Sequence, residues 1–355
     1  MYCQNLRIVD IFNKIAKALK ENLPFVAYKH PQGNEIKGFF QQDNQLYTTE
    51  NFQENGFVFA PFDDVNPAIL FPLAKSEVIT SPLVEDDLVA ITIEDSSLVI
   101  SEQEKTNHID LIQKGIDFLK TTQNKKVVLS RKLELEHSDF ELITIFKKLL
   151  SAYNNATVYI WFHPKVGIWL GATPETLLKV KDNQFSTMAL AGTQLYSGSL
   201  DVVWKNKEKQ EQQFVTDYIV EKLKNNVTVS DVKTIKAGSL VHLCTNIYGN
   251  LSQQFSLKKL IKLLHPTPAV CGFPQQKTKV FILDNEHYNR EFYTGFFGEI
   301  NIETASSLFV NLRCMQVLKE SIVIYVGGGI TVDSNPLKEW DETVAKSKVM
   351  LSVLV

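Results

Sequence analysis

The sequence predicts an α+β protein, and three observations lead there. Strand-like apolar runs follow one another more often than they alternate with helices, which disfavours a doubly wound parallel sheet. The 355 residues, 44% of them hydrophobic, are enough for roughly two domains or one large core at about 150 residues per domain. No internal repeat, low-complexity tract or long Pro/Gly/Ser linker divides the chain, so its parts should share one body with sheets at the centre and helices outside.

Taken in order, Ile8, Ile11, Phe12, Ile15 and Leu19 recur at helical spacing, and so do Ile109, Ile112, Ile116 and Leu119. KVVLSRKLEL from Lys126 reads as a strand, and FELITIFKKLLSAY as a helix behind a Ser138/Asp139 cap. ATVYIWF from Ala156, GIWLGA from Gly167 and FSTMALAG from Phe185 read as further strands. In KNKEKQEQQFVTDYIVEKL the apolar face of a helix comes from Phe214, Val215, Tyr218, Ile219 and Val220. Pro266 ends the helix KKLIKLL, and Pro274 opens the next. SLFVNLRCMQV from Ser307 and SIVIYVGG from Ser321 are strand-like. The last helix has Ser334 or Asn335 as its cap and Pro336 at its first position. Residues 1–120 carry little chemistry and read as a scaffold portion integrated with the core; residues 121–355 form the catalytic region.

Charge and composition narrow the function. With 37 Lys+Arg against 40 Asp+Glu the net charge is −3, too little positive field to hold a nucleic acid. No apolar run approaches a membrane span, and the start MYCQNLRIVDIFNK lacks a signal-peptide design, so no membrane is expected and the location expected is cytoplasmic. Cys3, Cys244, Cys271 and Cys314 are too few and too dispersed for a disulfide framework and read as buried thiols. With no CxxC or HExxH spacing, structural zinc is not expected.

Two helices carry acids on faces that turn apolar. Glu208 and Glu211 precede Val215 and Tyr218 at helical spacing; Glu339, Glu342 and Lys346 share a face that continues to Val349 and Met350. Each alone also fits an ordinary polar helix end. Facing each other, they would gather up to four carboxylates, whose repulsion needs a hard divalent cation or protonation, and oxygen-only donors favour Mg²⁺ over zinc. Gly327-Gly328-Gly329 lacks the third glycine of a dinucleotide fingerprint, with Val332 in its place, and no GK[ST] follows. A tight turn or close backbone approach to a small anionic ligand remains. His265 lies in a Pro-rich loop that fits either a structural role or substrate contact. Lys126, Glu175 and Gly192-Thr193 each fit an ordinary surface or turn position when read alone.

In order along the chain stand KVVLSR (126–131), GATPETLL (171–178), ALAGT (189–193), KEKQEQQFV (207–215), LHPTPAVCGFP (264–274), REFYTG (290–295), LR (312–313), GGGI (327–330) and EWDETVAK (339–346). Together they resemble the chorismate-utilising enzymes, and among these the isochorismate synthases. The resemblance implies the large intertwined chorismate-binding fold seen in anthranilate synthase component I. It also implies a reversible, Mg²⁺-dependent isomerase that adds water at C2 of chorismate and expels the C4 hydroxyl. Lys126 would be the base, which requires a neutral amine, and Glu175 the acid, which requires a raised carboxyl pKa. Glu211 and Glu342 match the metal ligands, with Glu208 and Glu339 as direct or water-mediated partners. Tyr293 and Arg313 match a clamp on the enolpyruvyl carboxylate; Gly192, Thr193, Gly327 and Lys346 match further substrate contacts, with His265 near the ring.

Ala191 stands where aminodeoxychorismate synthases place a nucleophilic Lys, and HPTPAVCG departs from anthranilate synthases. A salicylate synthase, which would go on to eliminate pyruvate, is the alternative enzyme; a catalytically silent chorismate-binding protein is the alternative outside enzymes. No glutaminase subunit is expected, the chain is expected to be a monomer, and its product would feed menaquinone, siderophore or another route. Gln194 in place of a common Arg, and TGFFGEI after the Tyr, depart from the family pattern.

Overall fold

The computed structural model describes residues 10–89, 101–136, 141–224, 227–237, 240–251 and 256–354. Cys3, Ile8 and the Ser138/Asp139 cap lie outside them. The amino-terminal portion contains α1 (Ile11–Glu21), β1 (Phe25–Lys29), β2 (Glu35–Gln41), β3 (Tyr47–Thr49), β4 (Gly56–Ala60), β5 (Ala68–Pro72), β6 (Ser76–Pro82) and α2 (Glu102–Thr121). Then come β7 (Lys126–Glu136), α3 (Leu142–Ala152), β8 (Thr157–His163), β9 (Gly167–Thr173), β10 (Thr176–Lys181), β11 (Gln184–Leu195) and α4 (Asn206–Lys222). These are followed by β12 (Thr228–Val229), β13 (Lys233–Ala237), β14 (Leu240–Asn250), α5 (Leu257–Leu264), β15 (Gly272–Phe273) and α6 (Gln275–Asn285). The chain closes with β16 (Phe296–Ile302), β17 (Ala305–Val310), β18 (Cys314–Val317), β19 (Ser321–Ile330) and α7 (Pro336–Leu351).

The strands form two antiparallel sheets, an α+β architecture as expected. One runs β15-β7-β19-β18-β9-β8-β1-β2-β6; the other runs β12-β14-β11-β10-β17-β16-β4-β5-β3, with β13 also on β14. The first 82 residues therefore finish both sheets: β1 pairs with β8, Phe25 opposite Phe162, and β4 pairs with β16, Ala60 opposite Phe296. An aromatic layer fills the space between the sheets. Tyr28, Trp161, Trp169 and Tyr325 of the first meet Phe57, Phe59, Phe71 and Phe297 of the second, with Phe71 stacked on Trp161 at 5.4 Å. Helices cover both outer faces. Ile15 of α1, Phe146 and Leu149 of α3 and Met350 of α7 pack on Val158, Ile160 and Ile324, while Val215 and Ile219 of α4 and Leu260 of α5 pack on Ala189 and Ile247. Ile112 and Ile116 of α2 and Ile282 of α6 cover Val127, Leu129 and Ile330.

Helix ends follow local chemistry. Asn335 caps α7 by accepting from the Lys338 N–H at 3.1 Å, with Pro336 in the first turn. α5 stops before Pro266, and α6 begins directly after Pro274. Cys244, Cys271 and Cys314 are buried free thiols. Among the described residues no helix is long and apolar enough to cross a membrane.

Two local expectations need correction. The run from Ser307 is not one strand: β17 belongs to one sheet and β18 to the other, with Asn311, Leu312 and Arg313 crossing between them. The break is three residues long, with Asn311 fully buried and Leu312 and Arg313 half-buried between two apolar strands. The triple glycine is not a turn either. All three residues lie within β19, paired with Val128, Leu129 and Ser130 of β7.

Candidate active site

β7 and β19 form one wall of a pocket. Lys126 opens β7 and is almost completely buried, and Gly327, Gly328 and Gly329 run antiparallel beside it. The glycines make the room: a Cβ on Gly329 would stand 2.7 Å from the Lys126 Cε and 2.8 Å from the Glu211 Oε1. Any side chain there would push into the ammonium and its partner. The Lys126 Nζ donates to Glu211 Oε1 at 2.7 Å.

Two linkers that pass between the sheets supply the opposing charges. Pro174 and Glu175 join β9 to β10, and Asn311 to Arg313 join β17 to β18, so the chain changes sheet at both. They are bonded to each other: the Val310 N–H donates to the Glu175 carbonyl at 3.0 Å, and the Ala172 N–H to the Arg313 carbonyl at 3.0 Å. Asn311, fully buried, accepts from the Tyr159 hydroxyl at 2.7 Å and donates to the Phe292 carbonyl at 2.9 Å. Arg313 adopts a left-handed backbone (φ 46°), and among the described residues its guanidinium has no hydrogen bond or ion pair to the protein. Burial pushes the Glu175 carboxyl up to about 7 against the pull of the Lys126 and Arg313 cations. Tyr293, stacked on Tyr325 at 5.4 Å, also lines the pocket.

β11 contributes Gly192 and Thr193 through a bulge. The pairing with β14 shifts register between Ala191 and Thr193, Gly192 takes φ 73°, and a Cβ there would meet the Glu208 Cβ at 3.1 Å. The bulge turns both residues toward His242, opposite Thr193 on β14. His242 Nδ1 lies 3.0 Å from the Gly192 carbonyl and 3.2 Å from the Thr193 hydroxyl. Because a carbonyl only accepts, the proton sits on Nδ1. Burial, reinforced by Arg313 and Lys346, pushes the imidazole down to about 3, so the ring is neutral, and its buried Nε2 has no partner. Sequence reading missed His242, which lines the same pocket. The available signal was its place in a strand facing ALAGT.

Glu339 and Glu342 of α7 are each held by a lysine. Lys346 Nζ reaches Glu342 Oε1 at 2.7 Å and the Gly327 carbonyl at 2.9 Å, and Lys207 Nζ reaches Glu339 Oε1 at 2.8 Å. Burial and the nearby Glu342 raise the Glu339 pKa, while Lys346 and then Lys207 outweigh burial to lower that of Glu342. Glu211, Glu339 and Glu342 lie beside the glycine strand. A Cβ on Gly328 would lie 3.8 Å from Glu339 Oε2 and 3.9 Å from Glu342 Oε1, and Glu208 packs on Gly192. The donor set fits a hard cation, because all four are oxygen ligands and the buried Glu208 Oε2 has no hydrogen-bond partner. With the lysines seated between them, no three acidic, His or Cys side chains among the described residues stand close enough to enclose an ion.

Lys126, Glu175, Gly192, Thr193, Glu211, Tyr293, Arg313, Gly327, Glu342 and Lys346 thus line one pocket, with Glu208 and Glu339 behind it. His265, expected near the ring, is the exception: it is not among the residues lining this pocket. It ends α5, its Nε2 meets the Thr294 carbonyl at 3.0 Å, and its ring packs edge-on against Phe296, so it braces the loop after Tyr293.

Comparison with known proteins agrees with this geometry. Residues 83–355 match the family described as chorismate binding enzyme. The chain is 28% identical over 311 residues to isochorismate synthase EntC of Escherichia coli strain K12, covering 82% of this chain and 79% of that one. Its fold matches a structure described as a 2,3-dihydroxybenzoate-specific isochorismate synthase, DhbC, from Bacillus anthracis, with a TM-score of 0.80 at 22% identity, covering 97% and 99% of the two chains. It also matches anthranilate synthase component I from Streptococcus pneumoniae TIGR4, with a TM-score of 0.65 at 16% identity, covering 92% and 89%. The chain belongs to the chorismate-binding enzymes.

Proposed function

We propose that this protein is an isochorismate synthase, interconverting chorismate and isochorismate with Mg²⁺. The observation that carries the reading is a single pocket holding a buried lysine, Lys126, together with a carboxyl, Glu175, that burial keeps half protonated near pH 7. Those are the two groups that a hydroxyl transposition needs. The name and extensive overlap of the Escherichia coli relative support the same reaction.

In this mechanism Lys126, which donates to Glu211 in this structure, must first shed that proton to become a neutral amine, and then takes one from the water whose oxygen bonds to C2. Both ring double bonds shift by one position, C1=C2 to C1=C6 and C5=C6 to C4=C5, and the C4–O bond breaks as Glu175 delivers its proton, so that the hydroxyl leaves as water. Lys126 ends protonated and Glu175 ionised; a proton returned from Lys126 to Glu175 through solvent restores both, and the reverse reaction exchanges their roles. Arg313, with no partner among the described residues, and Tyr293 hold the enolpyruvyl carboxylate. Gly192, Thr193 and the Gly327 strand, fixed by Lys346, position the ring. Mg²⁺ held by Glu211 and Glu342, with Glu208 and Glu339, would supply a positive anchor for the ring carboxylate and withdraw electron density toward it.

The test is incubation with chorismate and Mg²⁺ followed by separation of products. Isochorismate alone supports the reading, salicylate with stoichiometric pyruvate replaces it by a salicylate synthase, and unchanged chorismate leaves a silent binder.

A further inference from the structure

We infer that the Lys207 ammonium is an internal occupant of the acidic cluster, one that withdraws into solvent when a divalent cation enters. The inference rests on the Mg²⁺ reading above and adds a residue to it.

Three lysines neutralise the carboxylates, and they are held differently. Lys126 is sealed in the wall, its side chain 1% exposed. Lys346 is tied twice, to Glu342 and to the Gly327 carbonyl, and is 13% exposed. Lys207 has one bond, to Glu339 Oε1, and its side chain is 42% exposed. Its charge nonetheless faces Glu339, Glu211 and Glu342 together, three of the four acids expected to hold the metal.

Its place in the helix sharpens the point. Lys207 is the second residue of α4, in the first turn, where the helix dipole disfavours a cation. The carboxylates are therefore what keep the ammonium there. Among the described residues Glu339, with a side chain only 3% exposed, has no other cation bonded to it, so this contact offsets the cost of burying it. A flexible four-carbon stem beside water lets Lys207 leave by side-chain rotation alone, without movement of α4 or of the neighbouring Glu208. Mg²⁺ and the Lys207 ammonium answer the same carboxylate charge, and Lys207 is the lysine held by a single bond beside water, so entry of Mg²⁺ and departure of Lys207 are one exchange.

The experiment uses the full chain and two readouts. Acetylation by an amine-reactive ester, read by peptide mass spectrometry, should be slow at Lys207 without metal and several-fold faster with saturating MgCl₂, while exposed Lys209 stays constant. Calorimetric titration with MgCl₂ should show Lys207→Met binding at least about fivefold more tightly than wild type. Lys209→Met, which removes the same charge outside the cluster, should bind as wild type does. Measurable Mg²⁺ binding with unchanged Lys207 labelling, or equal tightening in the two variants, overturns the exchange and leaves the metal reading standing. Absence of Mg²⁺ binding in wild type and Lys207→Met alike overturns both.

Discussion

Lys126 Nζ and Glu211 Oε1, 85 residues apart in sequence, lie 2.7 Å apart against the open side of Gly329. The proposed base and the proposed metal ligand are thus in direct contact, yet their removal should have separable consequences. Lys126→Met keeps the stem and loses the proton acceptor, so turnover should fall by about 10²- to 10⁴-fold while Mg²⁺ still binds. Glu211→Gln should lose activity together with its Mg²⁺ dependence. Steady-state rates across a MgCl₂ series, paired with calorimetry, check both; normal turnover in Lys126→Met would remove it as the base.

Glu175 must carry its proton to act as an acid, and burial holds its pKa at about 7. In the direction from chorismate, kcat/KM should therefore decline as pH rises through about 7. Stability carries the same sign. A carboxyl whose pKa is higher folded than unfolded contributes fully below about 4.5, and that contribution is lost as pH rises through about 7. The rise from about 4.5 to about 7 corresponds to roughly 3 kcal/mol. Glu175→Gln should be inactive yet more stable than wild type at pH 9, with the gain vanishing at pH 5. Urea denaturation at the two pH values measures it, and an equal gap at both would contradict buried ionisation as its source.

Much of this site was legible because its residues sit in short ordered blocks whose types the chemistry requires. What escaped has a physical reason. β4 is buried on both faces, so GFVFA lacks the alternation that marks a half-exposed strand. Asn311 to Arg313 cross between sheets with no glycine or proline to mark the break between two apolar strands. His242 gains its role only from the register of β14 against the Gly192 bulge. Helical spacing aligned Glu208, Glu211, Glu339 and Glu342, but nothing in spacing pairs Lys207 with an acid 132 residues away.

Arg290, in the block REFYTG, supports the pocket without lining it. Its Nε donates to Glu286 Oε2 at 2.7 Å, and its Nη atoms donate to the carbonyls of Val270 and Val128 at 2.9 and 2.8 Å. Glu286 Oε1 accepts from the Ser130 N–H and hydroxyl, both at 2.8 Å. The pair therefore ties β7 to the loop that carries Tyr293. Both side chains are at most 2% exposed, so Arg290→Leu should cost about 3–5 kcal/mol by stranding a buried carboxylate. The double variant with Glu286→Leu should cost less than the sum of the singles. Denaturant midpoints of the four proteins give the coupling, and strict additivity would deny it.

Glu299 joins the sheets at the amino-terminal edge. From β16 it accepts from the Tyr28 hydroxyl and, at 2.6 Å, from Lys37 Nζ, while His30 Nε2 lies 3.6 Å away. Burial alone would raise its pKa, but the neighbouring His30 and the hydrogen bonds from Lys37 and Tyr28 bring it down to about 2. A carboxylate with a depressed folded pKa stabilises above its unfolded value, about 4.5, and loses that contribution as pH falls toward about 2. The shift of about 2.5 units is worth roughly 3 kcal/mol, with the side chain 11% exposed. Glu299→Gln should therefore be less stable than wild type at pH 7 by up to that amount, and the two should converge between about pH 5 and pH 2.5. Because β1 and β2 hang on this contact, the loss should also expose Tyr28 to solvent, seen as faster exchange of β1 amides. A stability gap that stays constant from pH 7 to pH 2.5 would show that Glu299 acts through packing and not through its charge.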